Sequence, residues 1–466
     1  MAEQVDALII GSGQAGDPLA VALANKGQRV VMVESKHVGG TCVNEGCTPT
    51  KTMIASAKVA EQARRATDYG VHTGLVTVNM AEVRDRKRRV VDVWRSGSEK
   101  SLQSNKNIEL VWGLGRFAGP KTVEVVLNGG GAPRTFTATD IFINTGLRSL
   151  TPAGLGLETV PYLTNETVME LAEVPRHLVI LGGSYIAVEF AQMFRRFGAE
   201  VTIVSSASQL LPREDADIAE SLGKILEEDG IQVILNGKAT AAALMANGTG
   251  KGVSLTVSTG SGEKTITGSH LLLAAGRTPN TEELNLGAAG IEVDEHGFIP
   301  VDDRLETKAQ GIYALGDVKG GPAFTHISYD DYRIVAANLL EGGNRSTKDR
   351  LVPYTVFTDP ELGRIGMTTE EAKKAGHSLR IAKMPASSIA RAYETGEDRG
   401  LMKILVDRDS EQILGAAILA GEGGELAAMV QIAMMAKLPY TVLRDAVWSH
   451  PTWAESLNNI FFKWEE

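Results

Sequence analysis

The hydrophobic pattern of the N-terminal region consists of short apolar runs that stop at glycine-rich turns. Residues 5–10 form one such run, and the loop Gly11-Ser-Gly-Gln-Ala-Gly16 follows directly. An alanine-rich stretch over about residues 14–26 and a second apolar run over residues 29–33 come next. Such runs are typical of strands that are buried on both faces. The order strand, glycine loop, helix, strand predicts a βαβ unit.

The spacing of Gly11, Gly13 and Gly16 indicates that this βαβ unit binds a ligand. Glycines at these positions permit a tight turn and let backbone N–H groups approach a pyrophosphate, which the positive end of the helix also attracts. Glu34 follows the second strand, 23 residues beyond Gly11. A carboxylate at that place can accept hydrogen bonds from an adenosine ribose. The pattern predicts a dinucleotide site.

The same pattern recurs later in the chain. An apolar run over residues 177–181 leads into a glycine pair that begins at Gly182, and a helix is expected over residues 188–197. A further run over residues 200–204 stops at Ser205, again 23 residues beyond the first glycine. An internal repeat indicates duplicated structural units. We therefore expect an α/β fold with two Rossmann-like dinucleotide-binding domains.

Ser205 distinguishes the second unit from the first. An acid at this position selects NAD by binding the ribose 2′-hydroxyl, and its absence removes the repulsion against a 2′-phosphate. Ser206, Ser208 and Arg213 follow closely and offer hydrogen-bond donors. These residues favour NADPH as the second dinucleotide, with NADH as the alternative.

Three more turns, Thr145-Gly146, Gly276 and Gly316-Asp317, each follow an apolar run. The first two are typical of the strand and turn that close a nucleotide-binding unit. The Asp317 carboxylate is placed to accept a hydrogen bond from a ribitol or ribose hydroxyl, and a simple turn with its own side-chain hydrogen bond is the alternative.

The pattern changes from about residue 349 onward. Alternating segments predict strands at residues 401–406 and 412–419, and apolar helices are expected through residues 434–438. This region is typical of an α+β layer, a sheet covered by helices, and not of a third nucleotide fold.

Composition and charge disfavour two classes of protein, nucleic-acid-binding proteins and membrane proteins. The 466 residues carry 47 Lys and Arg against 57 Asp and Glu, a net charge of −10, whereas nucleic-acid-binding domains usually carry a basic stripe. We expect the basic cluster at residues 84–89 to be a solvated helix face. No basic segment precedes an apolar core at the N-terminus, and no run reaches the roughly 18 apolar residues that span a bilayer. A cytoplasmic protein with no nucleic-acid or membrane partner is expected.

The chain has two cysteines, Cys42 and Cys47, and they lie close together. Two cysteines cannot form a disulfide framework of the secreted kind, and a structural zinc site needs about four nitrogen or sulfur ligands at compact spacing. Pro49 is suited to the first turn of a helix, which places Cys47 near a helix N-terminus that favours the thiolate. We expect a redox pair and no metal site; two buried structural cysteines are the alternative.

Four charged residues are further candidates because of their positions. Lys51 lies one helical turn after Cys47, and Glu189, on the helix after the second glycine loop, is a plausible ionic partner. His450 precedes Glu455 by five residues, and a carboxylate can orient an imidazole for proton transfer. Taken alone, Lys51 is also compatible with a solvated helix lysine, and the spacing of His450 and Glu455 is a weak signal whose significance depends on the rest of the chain.

Along essentially its whole length the chain resembles the FAD-dependent pyridine nucleotide–disulfide oxidoreductases. The motifs that carry the resemblance, in family order, are GSGQAG, GGTCVNEGCTPTK, GGSYIAVEFA, AAGRTPN, GIYALGD and HPTWAE. The resemblance implies an FAD-binding domain in two parts, residues 1–148 and 275–346, interrupted by an NAD(P)-binding domain over residues 149–274. A C-terminal α+β dimerisation domain would follow over residues 347–466.

The resemblance also implies residue roles. Cys42 corresponds to the interchange thiol that reacts with the substrate, and Cys47 to the charge-transfer thiol against the flavin. His450 and Glu455 correspond to an acid–base pair that reaches the cysteines of a second subunit, which requires a homodimer. Lys51 and Glu189 correspond to an ion pair beside the flavin, and Tyr185 to an aromatic residue over the nicotinamide pocket. The expected contacts to FAD and to NADPH or NADH are Gly11, Gly13, Gly16, Glu34, Gly40, Thr41, Lys51, Thr145, Gly146, Gly182, Tyr185, Ser205, Gly276 and Asp317.

Within the family, the chain is most similar to the mercuric-reductase-like branch, which includes the reactive-chlorine-resistance flavoproteins. The stretches LLPREDADIA, FTHISYDDYRIV and LPYTVLRDAVWSHPTWAESLN carry this likeness. The resemblance implies an NAD(P)H-dependent flavoprotein reductase of a disulfide, an oxidised sulfur species, or a thiol-reactive oxidant or metal ion. Dihydrolipoamide dehydrogenase is the alternative enzyme, and a non-catalytic flavin-binding redox sensor or complex subunit is the alternative from another class.

Overall fold

The computed structural model describes residues 1–247 and 250–465. Residues 248 and 249 of the expected NAD(P) segment and residue 466 of the expected dimerisation segment lie outside the described residues. The chain divides into two compact units. Unit 1 comprises Met1–Met53, Glu82–Leu150 and Gly276–Arg350, and unit 2 comprises Ile54–Ala81, Thr151–Ala275 and Leu351–Glu466. The finer division into the four expected segments stays a prediction.

The strands and helices are numbered in chain order. The strands are Glu3–Ile10 (β1), Val30–Glu34 (β2), Ile108–Gly119 (β3), Thr122–Leu127 (β4), Arg134–Ile143 (β5), Leu147–Ser149 (β6), His177–Leu181 (β7), Glu200–Val204 (β8), Gln232–Ile234 (β9), Lys238–Asn247 (β10), Gly250–Thr259 (β11), Gly262–Gly268 (β12), His270–Leu273 (β13), Arg277–Pro279 (β14), Ile312–Ala314 (β15), Tyr354–Val356 (β16), Glu361–Gly366 (β17), Leu379–Pro385 (β18), Leu401–Asp407 (β19) and Ile413–Ala420 (β20). The helices are Gly16–Asn25 (α1), Gly40–Asn44 (α2), Cys47–Arg64 (α3), Met80–Ser104 (α4), Asn165–Val168 (α5), Tyr185–Phe197 (α6), Ala216–Glu228 (α7), Thr325–Leu340 (α8), Thr369–Lys374 (α9), Ala390–Glu394 (α10), Gly423–Met435 (α11), Tyr440–Asp445 (α12) and Ser456–Asn459 (α13).

Unit 1 is built on a six-stranded sheet with β1 at its centre. The strands β3, β2, β1, β5 and β15 run parallel in this order, and β4 pairs antiparallel with both β3 and β5. The last residue of β1, Ile10, lies opposite Val33 of β2 and Ile143 of β5. The carboxyl ends of these three strands therefore share one edge of the sheet, where open α/β sheets bind their ligands.

Both faces of this sheet are covered, which explains the uninterrupted apolar runs in the sequence. Ile9 and Met32 pack on one face with Leu19 of α1. Their neighbours Leu8 and Val31 pack on the other face in a separate cluster. Because successive strand residues point to opposite faces, an apolar residue is needed at every position.

Unit 2 contains the second expected nucleotide sheet. Its parallel strands lie in the order β13, β7, β8, β9, and a three-stranded antiparallel sheet is formed by β10, β11 and β12. The strands β7 and β8 have the bounds that the sequence predicts. The helix α6 begins at Tyr185, three residues before its predicted start, because the extended residue Ser184 serves directly as its N-cap.

The C-terminal part of unit 2 is a five-stranded antiparallel sheet in the order β16, β17, β20, β19, β18. The two predicted strands of this region are β19 and β20, and α11 packs on the sheet through Leu426 and Val430. The expectation of a helix through residue 438 is wrong, because α11 ends at Met435. Lys437 adopts the left-handed conformation, with a φ of 52°, and the N–H of Leu438 turns back to the carbonyl of Ala433.

Lys87 departs most from the solvated helix face that is expected for the basic cluster, and Arg84 is partly buried. Arg86, Arg88 and Arg89 are exposed on α4, as predicted, but Lys87 is buried. Lys87 lies one helical turn before the buried Val91 and so shares its face of the helix. Within residues 1–247 and 250–465, no helix has the length and apolar character that a membrane crossing needs, and no three His, Cys, Asp or Glu side chains are grouped as metal ligands.

Candidate functional site

The first glycine loop, after β1, has no room for side chains. Gly11 has a φ of +100°, and a Cβ atom there would overlap the carbonyl oxygen of Asn144. Cβ atoms at Gly13 and Gly16 would lie 2.8 and 2.9 Å from the Asn144 side-chain nitrogen. The loop leads into α1, whose first residue is Gly16. Bare backbone at a helix N-terminus fits the pyrophosphate of a dinucleotide.

Glu34 lies at the same edge of the sheet, at the end of β2. Its carboxylate accepts hydrogen bonds from the backbone N–H groups of Ser12 at 2.9 Å and Lys36 at 2.7 Å. The residue is only 8% exposed. Because a carboxylate has about four acceptor positions, it keeps capacity for a ribose hydroxyl. The residues present therefore fit the adenosine half of FAD.

Asp17, in the first turn of α1, is a carboxyl that the sequence reasoning missed. The Ser12 hydroxyl donates a hydrogen bond to its Oδ1, while its buried Oδ2 has no hydrogen-bond partner among the described residues. Burial raises the pKa of Asp17 to about 7, the Ser12 hydrogen bond opposes that rise, and the charge of Glu34 adds to it. Ser12 thus joins two carboxyl groups at the loop. An acid in the first turn of a helix that follows a glycine loop is the sequence signal for it.

Two of the predicted closing turns lie together in unit 1. The Thr145 hydroxyl donates to the carbonyl of Asn280 at 2.8 Å, and the N–H of Asn280 donates to the carbonyl of Gly146 at 3.0 Å. The carbonyl of Gly276 accepts from the N–H of Leu150 at 3.0 Å. These bonds flank the antiparallel pair of β6 and β14.

Asp317 follows β15 in a single 3-10 turn, Gly316–Lys319. The guanidinium of Arg277 donates to its carboxylate at 3.3 Å. Burial raises the pKa of Asp317, and the charges of Arg277 and Lys319 act against the rise. The carboxylate is held in unit 1, in the same unit as the glycine loop.

The turn at Gly316 is fixed by a buried acid of α8. The N–H of Gly316 donates to Asp331 at 2.9 Å, and Asp331 is fully buried. Its carboxylate also contacts Lys319 Nζ at 3.1 Å and Arg350 Nη1 at 2.8 Å. Asp331 belongs to the stretch FTHISYDDYRIV, whose function could not be assigned from sequence alone.

Both cysteines lie in unit 1. Cys42 lies in α2 and is partly buried, and Cys47 is the first residue of α3 and is exposed. Both are in the reduced thiol form. The cysteine segment approaches the glycine loop closely, because a Cβ atom at Gly40 would lie 2.8 Å from the Cα atom of Gly13. The predicted place of Cys47 at a helix N-terminus agrees with the structure; Thr41 lies beside Gly40 in α2.

The two thiols influence each other. A hydrogen bond with Cys47, burial and the charge of Cys47 raise the pKa of Cys42, whereas a hydrogen bond with Thr325 and the charge of Lys51 lower it. The Thr325 hydroxyl lies 3.2 Å from Cys47 Sγ. Thr325 is the second site residue that the sequence reasoning missed, since 278 residues separate it from Cys47.

The second glycine loop, in unit 2, repeats the packing of the first. Gly182 has a φ of +131°, and a Cβ atom there would overlap the carbonyl oxygen of Ala274, as one at Gly11 would overlap that of Asn144. Ser205 ends the neighbouring strand and is buried, and its hydroxyl accepts from the N–H of Ala207 at 3.3 Å. Tyr185, partly exposed, begins α6.

Glu189 is buried on α6 and accepts a hydrogen bond from the N–H of Phe357 at 2.9 Å. Lys51 belongs to unit 1 and Glu189 to unit 2. The expected ion pair between them stays a prediction.

The structure brings His450 and Glu455 together in unit 2. The ring Nδ1 lies 2.9 Å from Glu455 Oε2, and the His450 side chain is 66% exposed. With Nδ1 engaged by the carboxylate, Nε2 is the ring nitrogen that can exchange a proton with another molecule. The arrangement has the form of an oriented acid–base pair.

Comparison with known proteins shows which family has this architecture. Residues 5–331 match the family model described as pyridine nucleotide-disulphide oxidoreductase, and residues 352–460 match its dimerisation domain. The chain is 40% identical over 459 residues to the probable pyridine nucleotide-disulfide oxidoreductase RclA of Escherichia coli (strain K12), with 98% of each chain covered. It is 33% identical to a mercuric reductase of Bacillus cereus, covering 97% of this chain and 70% of that protein.

A solved structure is similar over the whole chain. The Cu(II) complex of the HOCl-induced flavoprotein disulfide reductase RclA from Escherichia coli superposes with a TM-score of 0.89 at 38% identity, covering 99% of each chain. These findings confirm the predicted fold, the two cofactors FAD and NAD(P)H and the oxidoreductase class. The chain belongs to the pyridine nucleotide-disulphide oxidoreductase family.

Proposed function

We propose that Cys42 and Cys47 are the redox pair through which this NAD(P)H-dependent flavoprotein reduces a small oxidised substrate. The substrate class is a disulfide, an oxidised sulfur species, or a thiol-reactive oxidant or metal ion. The observation that carries the proposal is the hydrogen bond between the two thiols, in a segment that packs against the first glycine loop through Gly40 and Gly13. This pair lies in the unit that also carries the first glycine loop.

The chain offers a consistent set of residues for each cofactor. FAD would be held by residues of unit 1, namely Gly11, Gly13, Gly16, Glu34, Gly40, Thr41, Lys51, Thr145, Gly146, Gly276 and Asp317. The nicotinamide dinucleotide would be held by Gly182, Tyr185 and Ser205 of unit 2. When bound, the two cofactors supply a hydride and hence the two electrons that reduce a disulfide. The protein contributes the binding surface and the charge of Lys51, which acts on Cys42; Glu189 stays the predicted ionic partner of Lys51.

The environment of the thiols assigns them different tasks. The raised pKa of Cys42 keeps this thiol protonated while Cys47 carries the negative charge. Cys42 therefore needs a base, and His450, oriented by Glu455, is proposed to remove its proton from across a homodimer interface. The Cys42 thiolate then attacks a substrate disulfide and forms a mixed disulfide, and the imidazolium protonates the departing thiolate. Cys47 attacks the Cys42 sulfur, which reforms the protein disulfide and releases the second thiolate.

Three finer assignments belong to the same proposal. NADPH is the preferred electron donor, because Ser205 leaves no carboxylate to repel a 2′-phosphate. The active form is a homodimer, which the match of residues 352–460 to a dimerisation domain supports. The protein acts in the cytoplasm, where thiols are kept reduced.

The relatives narrow the substrates worth testing. The E. coli relative is named as HOCl-induced and has been obtained as a Cu(II) complex, and the Bacillus relative is named as a mercuric reductase. A substrate panel of glutathione disulfide, lipoamide, hypothiocyanous acid, Hg²⁺ and Cu²⁺, with NADPH and NADH compared, covers these chemistries. We expect turnover of at least one with NADPH, and loss of that turnover in Cys42→Ser.

Anaerobic titration of the purified protein with NADPH tests the redox pair itself. We expect the flavin to be reduced and a long-wavelength thiolate–flavin absorbance to form, and Cys47→Ser should abolish this absorbance. Absence of flavin reduction would favour the non-catalytic redox sensor. Production of NADH from dihydrolipoamide, at a rate comparable to the NADPH-linked reductase activity, would favour dihydrolipoamide dehydrogenase.

A further inference from the structure

The first residue of α8 reaches the cysteine pair. Thr325 begins this 16-residue helix, and the preceding Phe324 is extended and makes no side-chain cap. The Thr325 hydroxyl lies 3.2 Å from Cys47 Sγ, and both residues belong to unit 1. The distance is well within that of a hydrogen bond to sulfur, and a helix N-terminus adds partial positive charge at this place.

The helix that carries this hydroxyl, α8, is held in place by a buried ion cluster around Asp331. Two turns further along α8, Asp331 is locked by Lys319 at 3.1 Å and by Arg350 at 2.8 Å. The N–H of Ser328 donates to the carbonyl of Phe324 at 3.0 Å, so that the first turn is formed. A buried ion cluster therefore holds the helix whose first side chain contacts the thiol.

A threonine hydroxyl has one hydrogen, which it can donate to a single thiolate at a time. We infer that Thr325 donates this hydrogen to Cys47 and thereby fixes the negative charge of the reduced pair on Cys47 instead of Cys42. The inference rests on the proposed redox role of the pair and adds a residue that controls it. A hydrogen bond from Thr325 to Cys42 would lower the pKa of that thiol, so that donation of the single hydrogen to Cys47 withdraws this stabilisation from a Cys42 thiolate.

The proton balance of the pair then follows. In the reduced state Cys42 is a thiol, Cys47 is a thiolate and the Thr325 O–H points at Cys47 Sγ. When Cys47 attacks the mixed disulfide at Cys42, its charge leaves with the departing substrate thiolate and the hydrogen bond from Thr325 is released. No proton enters or leaves through Thr325, so that its task is to stabilise the charge and not to act as an acid.

The test uses the fact that the chain has only two cysteines. In a Cys42→Ser background, Cys47 is the only thiol of the flavin-loaded enzyme, and its ionisation can be followed by the long-wavelength thiolate–flavin absorbance as the pH is varied. Thr325→Val keeps the shape of the side chain but removes the hydroxyl, and Thr325→Ser keeps the hydroxyl but removes the methyl group. All three proteins are compared for flavin content and thermal unfolding midpoint.

Loss of a hydrogen bond to a charged group should weaken the ionisation of Cys47 about ten- to hundredfold, a rise of about one to two pH units in its apparent pKa. We expect this rise in the Thr325→Val protein and little change in the Thr325→Ser protein. Identical titration of the Thr325→Val protein and its parent would overturn the inference, as would an equal rise in both variants, which would assign the effect to the methyl group.

Two outcomes separate this inference from the proposed function. If the Cys42→Ser parent itself shows no thiolate absorbance at any pH, the assignment of Cys47 fails, and the inference fails with it. If Thr325→Val does not retain flavin, the pH profile of iodoacetamide alkylation is measured on the flavin-free Cys42→Ser protein with and without Thr325→Val. A profile shifted upward supports the hydrogen bond, and an unshifted profile refutes it.

Discussion

The backbone N–H of Ser12 donates a 2.9 Å hydrogen bond to the carboxylate of Glu34, which ties the second strand of the first βαβ unit to its glycine loop. The corresponding position of the second unit is Ser205, at the same 23-residue interval from the first loop glycine. The Ser205 hydroxyl instead accepts from Ala207. The first βαβ unit therefore has the carboxylate of Glu34 at this edge of its sheet, and the second has the small hydroxyl of Ser205.

Restoring the acid should change the preference between nicotinamide cofactors. In Ser205→Glu, we expect kcat/KM for NADPH to fall relative to that for NADH by about tenfold or more, because a carboxylate repels the 2′-phosphate and binds the 2′-hydroxyl. Steady-state kinetics with both donors give the ratio. Ser205→Ala is the matched control and should leave the ratio within a few-fold of that of the parent; an unchanged ratio in Ser205→Glu would contradict the assignment of this site.

Removal of the Asp331 carboxylate should destabilise unit 1. In Asp331→Ala, Lys319 and Arg350 lose the partner of a buried pair, a change that costs about 3–5 kcal/mol in free energy of unfolding. FAD affinity should fall as well, because the N–H of Gly316 loses its acceptor. Urea denaturation and titration of the apoenzyme with FAD measure the two effects.

The neighbouring Asp330 provides a control for that experiment. Its carboxylate is partly exposed and pairs with the half-exposed Arg345 and, at 3.4 Å, with Arg350, which keeps its shorter 2.8 Å contact to Asp331 when Asp330 is replaced. Ion pairs at the surface contribute about 1 kcal/mol or less. Asp330→Ala should therefore cost much less than Asp331→Ala. Equal losses in the two variants would show that the buried cluster contributes no more to the free energy of unfolding than a surface ion pair does.

The pKa of Asp17 predicts a pH dependence of stability. Because burial raises this pKa to about 7, the folded protein keeps a proton that the unfolded chain releases above about pH 4. The contribution of Asp17 to the free energy of unfolding therefore falls as the pH rises from about 4 to about 7, by no more than about 4 kcal/mol. Asp17→Asn should remove this part of the slope in urea unfolding measured from pH 5 to 8.

The exposed carboxylate of Asp85, on α4, serves as the reference for this measurement. Asp85→Asn should leave the slope of stability against pH unchanged. If Asp17→Asn and the wild-type protein showed the same slope, Asp17 would be ionised in the folded state, contrary to its described environment.

Replacement of His450 should separate the two halves of the reaction. In His450→Gln, we expect turnover of the oxidised substrate to fall by about 10²- to 10⁴-fold, the usual contribution of a general acid–base residue. Flavin reduction by NADPH, followed by stopped-flow absorbance, should keep its rate. Glu455→Gln should give a smaller loss, since it removes the orienting partner and leaves the imidazole. A slowed flavin reduction in His450→Gln would place the residue elsewhere in the mechanism.

Local pattern predicted the elements that form within a short stretch of chain. Runs, glycines and a proline that are neighbours in sequence predict the strand bounds of β7 and β8, the 23-residue intervals and the place of Cys47 near a helix N-terminus. The end of α11 and the burial of Lys87 were not predicted, because the first depends on a left-handed residue and the second on the one helix face that packs inward.

The residues that complete the site come from far along the chain. Asn144 reaches Gly11 from the end of β5, and Thr325 and Asp331 reach the cysteines and the Gly316 turn from α8. A single sequence contains no mark of these contacts, because sheet order and helix docking bring the residues together. The stretch FTHISYDDYRIV carries the likeness to the mercuric-reductase-like branch, and its contacts with Cys47 and the Gly316 turn depend on the docking of α8.

The packing of Gly11 on Asn144, and of the Gly316 turn on Asp331, sets the order in which the flavin loop can be completed during synthesis. The glycine loop leaves the ribosome first, Asn144 follows about 130 residues later, and the Gly316 turn has its acceptor Asp331 only about 320 residues after Gly11. At translation rates of about 5–20 residues per second, roughly 15 to 60 s separate the synthesis of the glycine loop from that of Asp331. Over that interval the nascent chain contains the glycine loop but not the residue that fixes the Gly316 turn. We therefore expect unit 1 to bind FAD only late in its folding.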